Sequence, residues 1–286
     1  MASALQGTMA SVEAEIGYLL PTSTINRRFC TRHADVNTGR YRNYPVTVRD
    51  GQEVADGFQA DVHGFQYLRE PSGINDYSSP SVFLADYEQS QVSMLKRFLG
   101  ADQIASLGSM LRTAGDQQAR DMGPPASEAH VDFETSAAHA YARIIYEKNF
   151  PEGPGFSRFV ASSLWRPISQ PPHDWPLAVC DFRSVGPNEG TRNAMVVVDT
   201  MPTEEEMFAP IEGEDKLPAA SIFPFNPEHC WWFFSGMTPD EALFIKFHDS
   251  DHARAWRCIH SAFHNPATPQ ANIRESIELR TMAYFQ

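Results

Sequence analysis

FVASSLW, at residues 159–165, is the first of seven apolar or alternating runs that decide the fold class of this chain. The other six are PLAVCDF (176–182), AMVVVDT (194–200), HCWWFF (229–234), EALFIKF (241–247), AWRCIHSAF (255–263) and ESIELRTMAYF (275–285). Proline and acidic turns separate these runs, several of which are rich in β-branched or aromatic residues. Such a succession predicts an antiparallel sandwich or barrel.

The N-terminal half of the chain mixes two kinds of pattern. Residues 16–77 combine short alternating pieces with turn residues, which favours strands and loops over long helices. Between Ser81 and Thr113 apolar residues recur at helical spacing and predict one or two amphipathic helices. The Ala-rich stretch 136–146 predicts another helix, which Thr135 or Ser136 would cap. We therefore expect a mainly β fold with flanking helices.

Composition narrows the classes of partner. The formal net charge is −13, which disfavours nucleic acid because binding to a phosphate backbone needs concentrated lysine and arginine. No window approaches the roughly 18 to 20 apolar residues that span a bilayer, and the first twenty residues show no secretion-signal pattern. The four cysteines are widely spaced without a C-x-x-C, as is typical of small buried residues in a reducing compartment. We expect a cytoplasmic protein.

His130 and Asp132 lie in the run Glu128-Ala-His-Val-Asp-Phe and form a candidate pair of metal ligands. On an extended segment, residues i and i+2 project to the same face and can grip one ion together. One imidazole and one carboxylate are two-thirds of the 2-His-1-carboxylate triad of non-haem iron enzymes. By itself the pair is also compatible with a surface or capping role ahead of the Ala-rich helix.

A later histidine is needed to complete this triad. His260 is preferred because it lies in an extended-looking run and is followed, 14 residues later, by Arg274. His229, before the aromatic run Trp231-Trp-Phe-Phe, is the strongest rival. His252 and His264 stay open as weaker alternatives, and His139 on the predicted helix is interpreted as structural.

The last strand carries a candidate anion-binding face. Its even positions share one side of the strand, so two guanidinium groups and a hydroxyl can face one cavity. Arginine suits the binding of a dicarboxylate because its planar fork pairs bidentately with a carboxylate. The four residues of this face are Arg274, Ser276, Glu278 and Arg280.

Several short motifs of the chain resemble the CmcJ/AsaB-like hydroxylase/desaturase family, which includes a fungal gibberellin desaturase. They are Leu164-Trp-Arg-Pro-Ile, the run from Pro176 to Ser184, Trp232-Phe-Phe-Ser-Gly-Met-Thr-Pro-Asp-Glu241, Phe247-His-Asp-Ser250, His260-Ser-Ala-Phe263, Arg274-Glu-Ser-Ile-Glu-Leu-Arg280, His63-Gly-Phe, and the stretch from Tyr87 to Arg112 with Leu99-Gly-Ala101. One departure is Ser163, where the family resemblance leads us to expect asparagine before the Trp-Arg-Pro motif.

The resemblance implies an Fe(II)/2-oxoglutarate-dependent dioxygenase with a double-stranded β-helix, or jelly-roll, core. It maps the iron ligands onto His130, Asp132 and His260, and 2-oxoglutarate binding onto the closing arginine motif, with Arg166 as a second pocket arginine. Such an enzyme converts 2-oxoglutarate and O2 to succinate and CO2 while hydroxylating or desaturating a small secondary metabolite.

We expect one catalytic domain over residues 1–286. Residues 1–80 would be an N-terminal strand and loop elaboration, 81–150 the helices and the first metal-ligand strand, and 151–286 the remaining jelly-roll core. Two other functions stay open: a cupin-type metal enzyme that does not use 2-oxoglutarate, and a metal-free small-molecule binding protein. A zinc hydrolase is disfavoured because no H-E-x-x-H occurs.

Overall fold

Two β-sheets form the body of the protein. The computed structural model describes residues 10–32, 34–117 and 122–286, so part of the N-terminal stretch considered for a secretion signal lies outside the described residues. The larger sheet runs β1-β4-β12-β9-β14-β7-β11-β10-β2-β3. Its strands are β1 (Ser11–Leu19), β2 (Arg27–Cys30), β3 (Asp35–Asn37), β4 (Tyr41–Asp50), β7 (His130–Val131), β9 (Leu177–Cys180), β10 (Thr191–Val197), β11 (Ala219–Ile222), β12 (Trp231–Phe233) and β14 (His260–Ala262).

The smaller sheet has five strands, all antiparallel, in the order β5-β13-β8-β15-β6. They are β5 (Phe65–Arg69), β6 (Gln103–Thr113), β8 (Arg158–Pro167), β13 (Glu241–Asp249) and β15 (Glu275–Phe285). Nine of the ten residues of β8 are buried, because one face of this strand packs toward the larger sheet and the other toward a helix. The mainly β, jelly-roll fold expected from the sequence is confirmed.

Two long helices flank these sheets. Helix α2 (Pro80–Leu99) lies against β6 and β15, where Phe83, Tyr87 and Leu95 pack on the outer apolar face of the smaller sheet. Helix α3 (Thr135–Asn149) places its alanines in the main core. The short helices are α1 (Ala60–His63) and α4 (Glu204–Phe208).

Two details of the helix prediction are wrong. Helix α2 ends at Gly100, whose φ of 64° is left-handed, and Gln103–Thr113 is strand β6 rather than helix. The reason is tertiary: β6 pairs with β15 over nearly its whole length, and this pairing overrides a local spacing that also fits a helix. The cap of α3 is Glu134, not Thr135 or Ser136, and its carboxylate accepts the backbone N–H groups of Ser136 and Ala137.

The predicted division into 1–80, 81–150 and 151–286 stays a prediction. Strands from the first stretch belong to both sheets, since β1 and β4 lie in the larger sheet and β5 pairs with β13 in the smaller one. Among the described residues the four cysteines are free thiols, and Cys180 and Cys258 are buried. No helix in the described ranges is both long and apolar enough to cross a membrane.

Gly64 makes a close backbone contact that ties α1 to the segment before β14. Its φ of 84° is left-handed, and a Cβ at this position would lie 2.4 Å from the carbonyl oxygen of Arg257. Arg257 precedes His260 by three residues. The atom that a Cβ would meet is a backbone oxygen rather than the end of a flexible side chain, so the clash cannot be relieved by a side-chain rotation. Glycine at 64 therefore satisfies a conformational and a steric requirement at once.

Replacement of Gly64 by alanine is expected to cost about 3 kcal/mol, since left-handed strain of roughly 1–2 kcal/mol adds to overpacking of roughly 1–3 kcal/mol. Gly100→Ala is the matched control: its φ is also left-handed but a Cβ there meets nothing within 4 Å. It should cost only the strain. Urea unfolding of both variants checks this, and equal losses would show that the contact with Arg257 is unimportant.

Candidate metal centre and anion pocket

His130, Asp132 and His260 come together in space although the outer two are far apart in sequence. Strand β7 carries His130, and β14 sets His260 directly opposite it across an antiparallel pair. Asp132 follows β7 and turns Oδ1 toward both rings, 3.2 Å from Nε2 of His130 and 3.6 Å from Nε2 of His260. Two imidazole nitrogens and one carboxylate oxygen thus converge on a common point, the donor set preferred by divalent iron with open positions.

Backbone carbonyls orient both imidazole rings. Nδ1 of His130 lies 2.7 Å from the carbonyl oxygen of Glu128, and Nδ1 of His260 lies 3.1 Å from that of Cys258. With the proton on Nδ1, each ring donates to its carbonyl and leaves Nε2 free as an acceptor. This is the usual outer support of a metal-bound histidine, because it sets both tautomer and ring direction.

Charge is unevenly distributed within the group. Burial would raise the pKa of Asp132, but the positive charge of Arg280 and the neighbouring side chains of His130 and His260 lower that pKa well below its usual value. Burial and the neighbouring His130 lower the pKa of His260. A carboxylate that stays ionised beside a neutral imidazole is the protonation state required for binding a cation.

Arg274 is an almost completely buried cation beside this group. Its Nη1 donates to Oγ of Ser276 at 2.6 Å, whereas its Nε and Nη2 are buried and have no hydrogen-bond partner among the described residues. Burial and the charge of Arg112 lower the pKa of Arg274 to about 10. Leaving guanidinium nitrogens unpaired in a low-dielectric site is costly, so this side chain is well suited to an anionic ligand.

Arg280 is engaged differently from Arg274, although both lie on the predicted face of β15. Its Nη2 lies 2.7 Å from Oδ2 of Asp132 and 2.8 Å from Oε1 of Glu278. Glu278 in turn pairs with Arg112 of β6. The structure therefore brings Arg274, Ser276, Glu278 and Arg280 to one side of the strand, as the alternation predicted, but gives the two arginines separate partners.

Arg166 does not face this cavity, which corrects the expectation of a second pocket arginine. Its guanidinium donates to the backbone carbonyls of Glu70 and Pro239 and to the side chain of Gln91, and its Cζ lies 6.0 Å from the ring centroid of Tyr87. The physical reason is strand alternation: Trp165 points to the cavity, so its neighbour Arg166 points to α2.

The rival histidines are used elsewhere. Nδ1 of His229 lies 3.0 Å from the hydroxyl of Tyr18, and its Nε2 lies 2.7 Å from a carboxylate oxygen of Glu189, so both ring nitrogens are occupied. His252 stacks on Trp256 and His264 contacts Trp175. His139 lies edge-on against Phe159 and His248, consistent with its structural interpretation.

The aromatic run 231–234 belongs mainly to the core. Trp231, Phe233 and Phe234 are buried in the main apolar cluster, and the indole N–H of Trp231 donates to the hydroxyl of Tyr18. Other side chains form the wall of the cavity that holds His130, His260 and Arg274. They are Arg112, Ala126, Ser163, Trp165, Leu177, Ile245, Phe247, Ala262 and Glu278.

Sequence reasoning missed several members of this wall. Ser163 was expected to affect the polarity of the pocket, but Trp165 was not assigned to it. The alternation of Trp165 with buried Leu164 was the available signal that its side chain faces the cavity. Phe247 stacks on His260 with ring centroids 5.5 Å apart. Arg112 carried no usable signal, because its segment had a helical pattern and its partner Glu278 lies 166 residues later.

Comparison with known proteins places the chain in a family. The family model described as "Oxidoreductase/YMDC permease-like domain" matches residues 18–284. The hydroxylase/desaturase efuI of Hormonema carpetanum is 28% identical over 273 residues, covering 89% of this chain and 89% of that protein. The Fe(II)/2-oxoglutarate-dependent dioxygenase nvfI of Aspergillus novofumigatus is 28% identical, covering 84% and 83%.

A solved structure supports the fold independently. The iron and alpha-ketoglutarate-dependent endoperoxidase NvfI aligns with a TM-score of 0.77 at 23% identity, covering 97% of this chain and 99% of that one. The resemblance to hydroxylase/desaturases seen in the motifs is confirmed by the relatives from Hormonema carpetanum and Aspergillus novofumigatus. The chain belongs to the oxidoreductase family whose model spans residues 18–284, and its relatives there include hydroxylase/desaturases and an Fe(II)/2-oxoglutarate-dependent dioxygenase.

Proposed function

We propose that this chain is an Fe(II)/2-oxoglutarate-dependent dioxygenase that hydroxylates or desaturates a small organic metabolite. The observation that carries the proposal is the buried Arg274, with two unpaired guanidinium nitrogens, in the cavity that His130 and His260 also line. These two histidines group with Asp132 as possible metal ligands. A set of three metal ligands alone is compatible with many enzymes. A set of metal ligands next to a buried cation without an anionic partner indicates a cosubstrate that chelates the metal at one end and carries a carboxylate at the other.

His130, Asp132 and His260 would hold the iron, and Arg274 would bind the far carboxylate of 2-oxoglutarate. Ser276 keeps the Arg274 guanidinium in place through a 2.6 Å hydrogen bond, and Cζ of Arg274 lies 5.9 Å from the ring centroid of Trp165. Bound Fe(II) with 2-oxoglutarate and O2 supplies the oxidising power, and the co-products are succinate and CO2.

The organic substrate would meet a mainly apolar wall. Trp165, Leu177, Ile245 and Phe247 line the cavity, while Ser163 contributes one buried hydroxyl without a hydrogen-bond partner among the described residues. Apolar walls exclude water and strengthen the electrostatic contacts made inside the site. The relatives include hydroxylase/desaturases and a gibberellin desaturase, and we propose that this chain likewise acts on a small secondary metabolite. We further propose that it has no nucleic-acid or membrane partner and that it forms one catalytic domain.

Loss of any one metal ligand is expected to weaken metal binding severely. Alanine at His130, Asp132 or His260 should lower Co(II) or anaerobic Fe(II) affinity by more than the roughly 10- to 100-fold that loss of an outer-shell partner costs. His229→Gln is the control, because His229 is bound by Tyr18 and Glu189 instead. Isothermal titration of each variant measures this. Normal affinity in His260→Ala with loss in His229→Gln would reassign the third ligand.

Arg274 is expected to recognise the distal carboxylate of 2-oxoglutarate. In Fe(II)-loaded protein under anaerobic conditions, Arg274→Ala should weaken 2-oxoglutarate binding by roughly 100-fold. The variant loses two charge-assisted hydrogen bonds worth about 1.5–3 kcal/mol each, and water that hydrogen-bonds to the carboxylate offsets part of this loss. The visible metal-to-ligand charge-transfer band reports the titration. Fe(II) affinity should not change, since Arg274 makes no contact with the ligand group, which consists of His130, Asp132 and His260.

Pyruvate supplies a matched ligand control for this assignment. It keeps the keto acid end that chelates metal but has no second carboxylate, so its weak affinity should be the same in wild-type and Arg274→Ala protein. If Arg274→Ala still prefers 2-oxoglutarate over pyruvate as strongly as wild type does, Arg274 is not the anchor.

A further inference from the structure

The two oxygens of Asp132 face different partners. Oδ1 is turned toward Nε2 of both histidines, at 3.2 and 3.6 Å, whereas Oδ2 lies 2.7 Å from Nη2 of Arg280. A carboxylate that is free on both sides can rotate and offer either oxygen, or both, to a cation. Here one oxygen is committed to an arginine, so the other is the one presented to the metal.

Arg280 is itself held on its far side. The same Nη2 donates to Oε1 of Glu278 at 2.8 Å, and Glu278 accepts from Nε and Nη2 of Arg112 at 3.3 and 3.2 Å. Nη1 of Arg112 then donates to the carbonyl oxygen of Pro124 at 2.8 Å. The result is a chain of alternating charge, from Asp132 to Arg112, that crosses from the end of β7 to β15 and β6.

Arg280 also lies near His260, with the ring of Phe247 between them. Its Cζ lies 6.0 Å from the ring centroid of Phe247, and Phe247 stacks on His260 with an interplanar angle of 20°. The guanidinium therefore borders both the carboxylate ligand and the ring that supports one imidazole. Neither contact resembles the environment of Arg274, whose Nε and Nη2 are buried without a hydrogen-bond partner among the described residues.

Resting on the proposed function, we propose that Arg280 is a positioning residue: it holds Oδ2 so that Asp132 binds iron through Oδ1 alone, and it does not anchor 2-oxoglutarate. Glu278 and Arg112 keep the Arg280 side chain in the required place. The two arginines of β15 thus divide the work, with Arg274 acting on the cosubstrate and Arg280 acting on a metal ligand.

Arg280→Gln tests this role through metal binding rather than turnover. Without Arg280, nothing holds Oδ2 in the orientation that turns Oδ1 toward the two histidines. We therefore expect Co(II) affinity to fall by about 10- to 100-fold, the usual cost of losing an outer-shell partner. The visible absorption bands of bound Co(II) should also change in intensity, because they depend on the number of ligands. Arg280→Lys keeps the charge and should recover at least half of the lost binding free energy.

The crossed comparison with Arg274→Ala separates the two roles. At saturating metal, Arg280→Gln should bind 2-oxoglutarate within about threefold of wild type, while Arg274→Ala should bind metal normally and lose 2-oxoglutarate. Arg69→Gln is the arginine-loss control, since Arg69 is exposed on β5 at the opposite edge of the same sheet and pairs with Asp56. It should change neither quantity.

Normal Co(II) affinity and an unchanged Co(II) spectrum in Arg280→Gln would overturn the positioning role, and a selective loss of 2-oxoglutarate would make Arg280 a cosubstrate residue instead. If Arg280→Gln does not fold, as judged by circular dichroism and thermal unfolding, Glu278→Gln breaks the next link. It should still weaken Co(II) binding by about 3- to 10-fold, below the range for a direct partner, and no change there would count against the proposal. Failure of the wild type to bind Co(II) or 2-oxoglutarate would instead contradict the proposed function itself.

Discussion

Strands β7 and β14 meet at one residue pair, His130 opposite His260, and the ligand group depends on that pairing. Directly opposed residues of an antiparallel pair have Cβ atoms about 4.5–5.5 Å apart, which is close enough for two imidazoles to share one ion. The two ring centroids are 4.3 Å apart. A slip of one residue would turn one imidazole to the other face of the sheet and destroy the donor set.

Neither strand is long enough to set this register alone, since β7 has two residues and β14 has three. Neighbouring strands hold them: β11 pairs Ser221 with Val131, and β9 pairs Ala178 with Ser261. Val131, Ala178 and Ser261 are all buried. The relative position of the two histidines is therefore fixed by the packed centre of the larger sheet, to which β7 and β14 contribute only short strands.

The smaller sheet contributes the charges that complete the site. Strand β15 lies between β8 and β6, and its cavity face carries two arginines and a glutamate that would be costly to bury singly. Arg280 and Glu278 offset this cost by pairing with Asp132 and Arg112, whereas Arg274 has only Ser276. A buried cation with unpaired nitrogens is less costly where a bound anion pairs with it. The two arginines, six residues apart on one strand, are thus unequally paired.

Much of this was accessible from the sequence for identifiable reasons. Alternation along the last strand placed Arg274, Ser276, Glu278 and Arg280 on one face, and the i, i+2 spacing placed His130 beside Asp132, because both are local consequences of an extended backbone. The same local reasoning failed for residues 103–113, where helical spacing coincided with a strand whose partner lies over 160 residues away. The prediction for Arg166 was also wrong, because its guanidinium lies on the side of β8 that faces α2.

By itself the sequence determined the fold class, the extended ligand pair and the composition of the arginine face, since each follows from spacing within one segment. Only the tertiary structure decided that His260 rather than His229 meets the pair, that Arg112 reaches Glu278, and that Arg280 binds Asp132 while Arg274 keeps free nitrogens. The physical reason is the same in each case. These contacts join strands that are distant in sequence, and their partners are selected by sheet register and by the pairing of buried charge, which no single segment encodes.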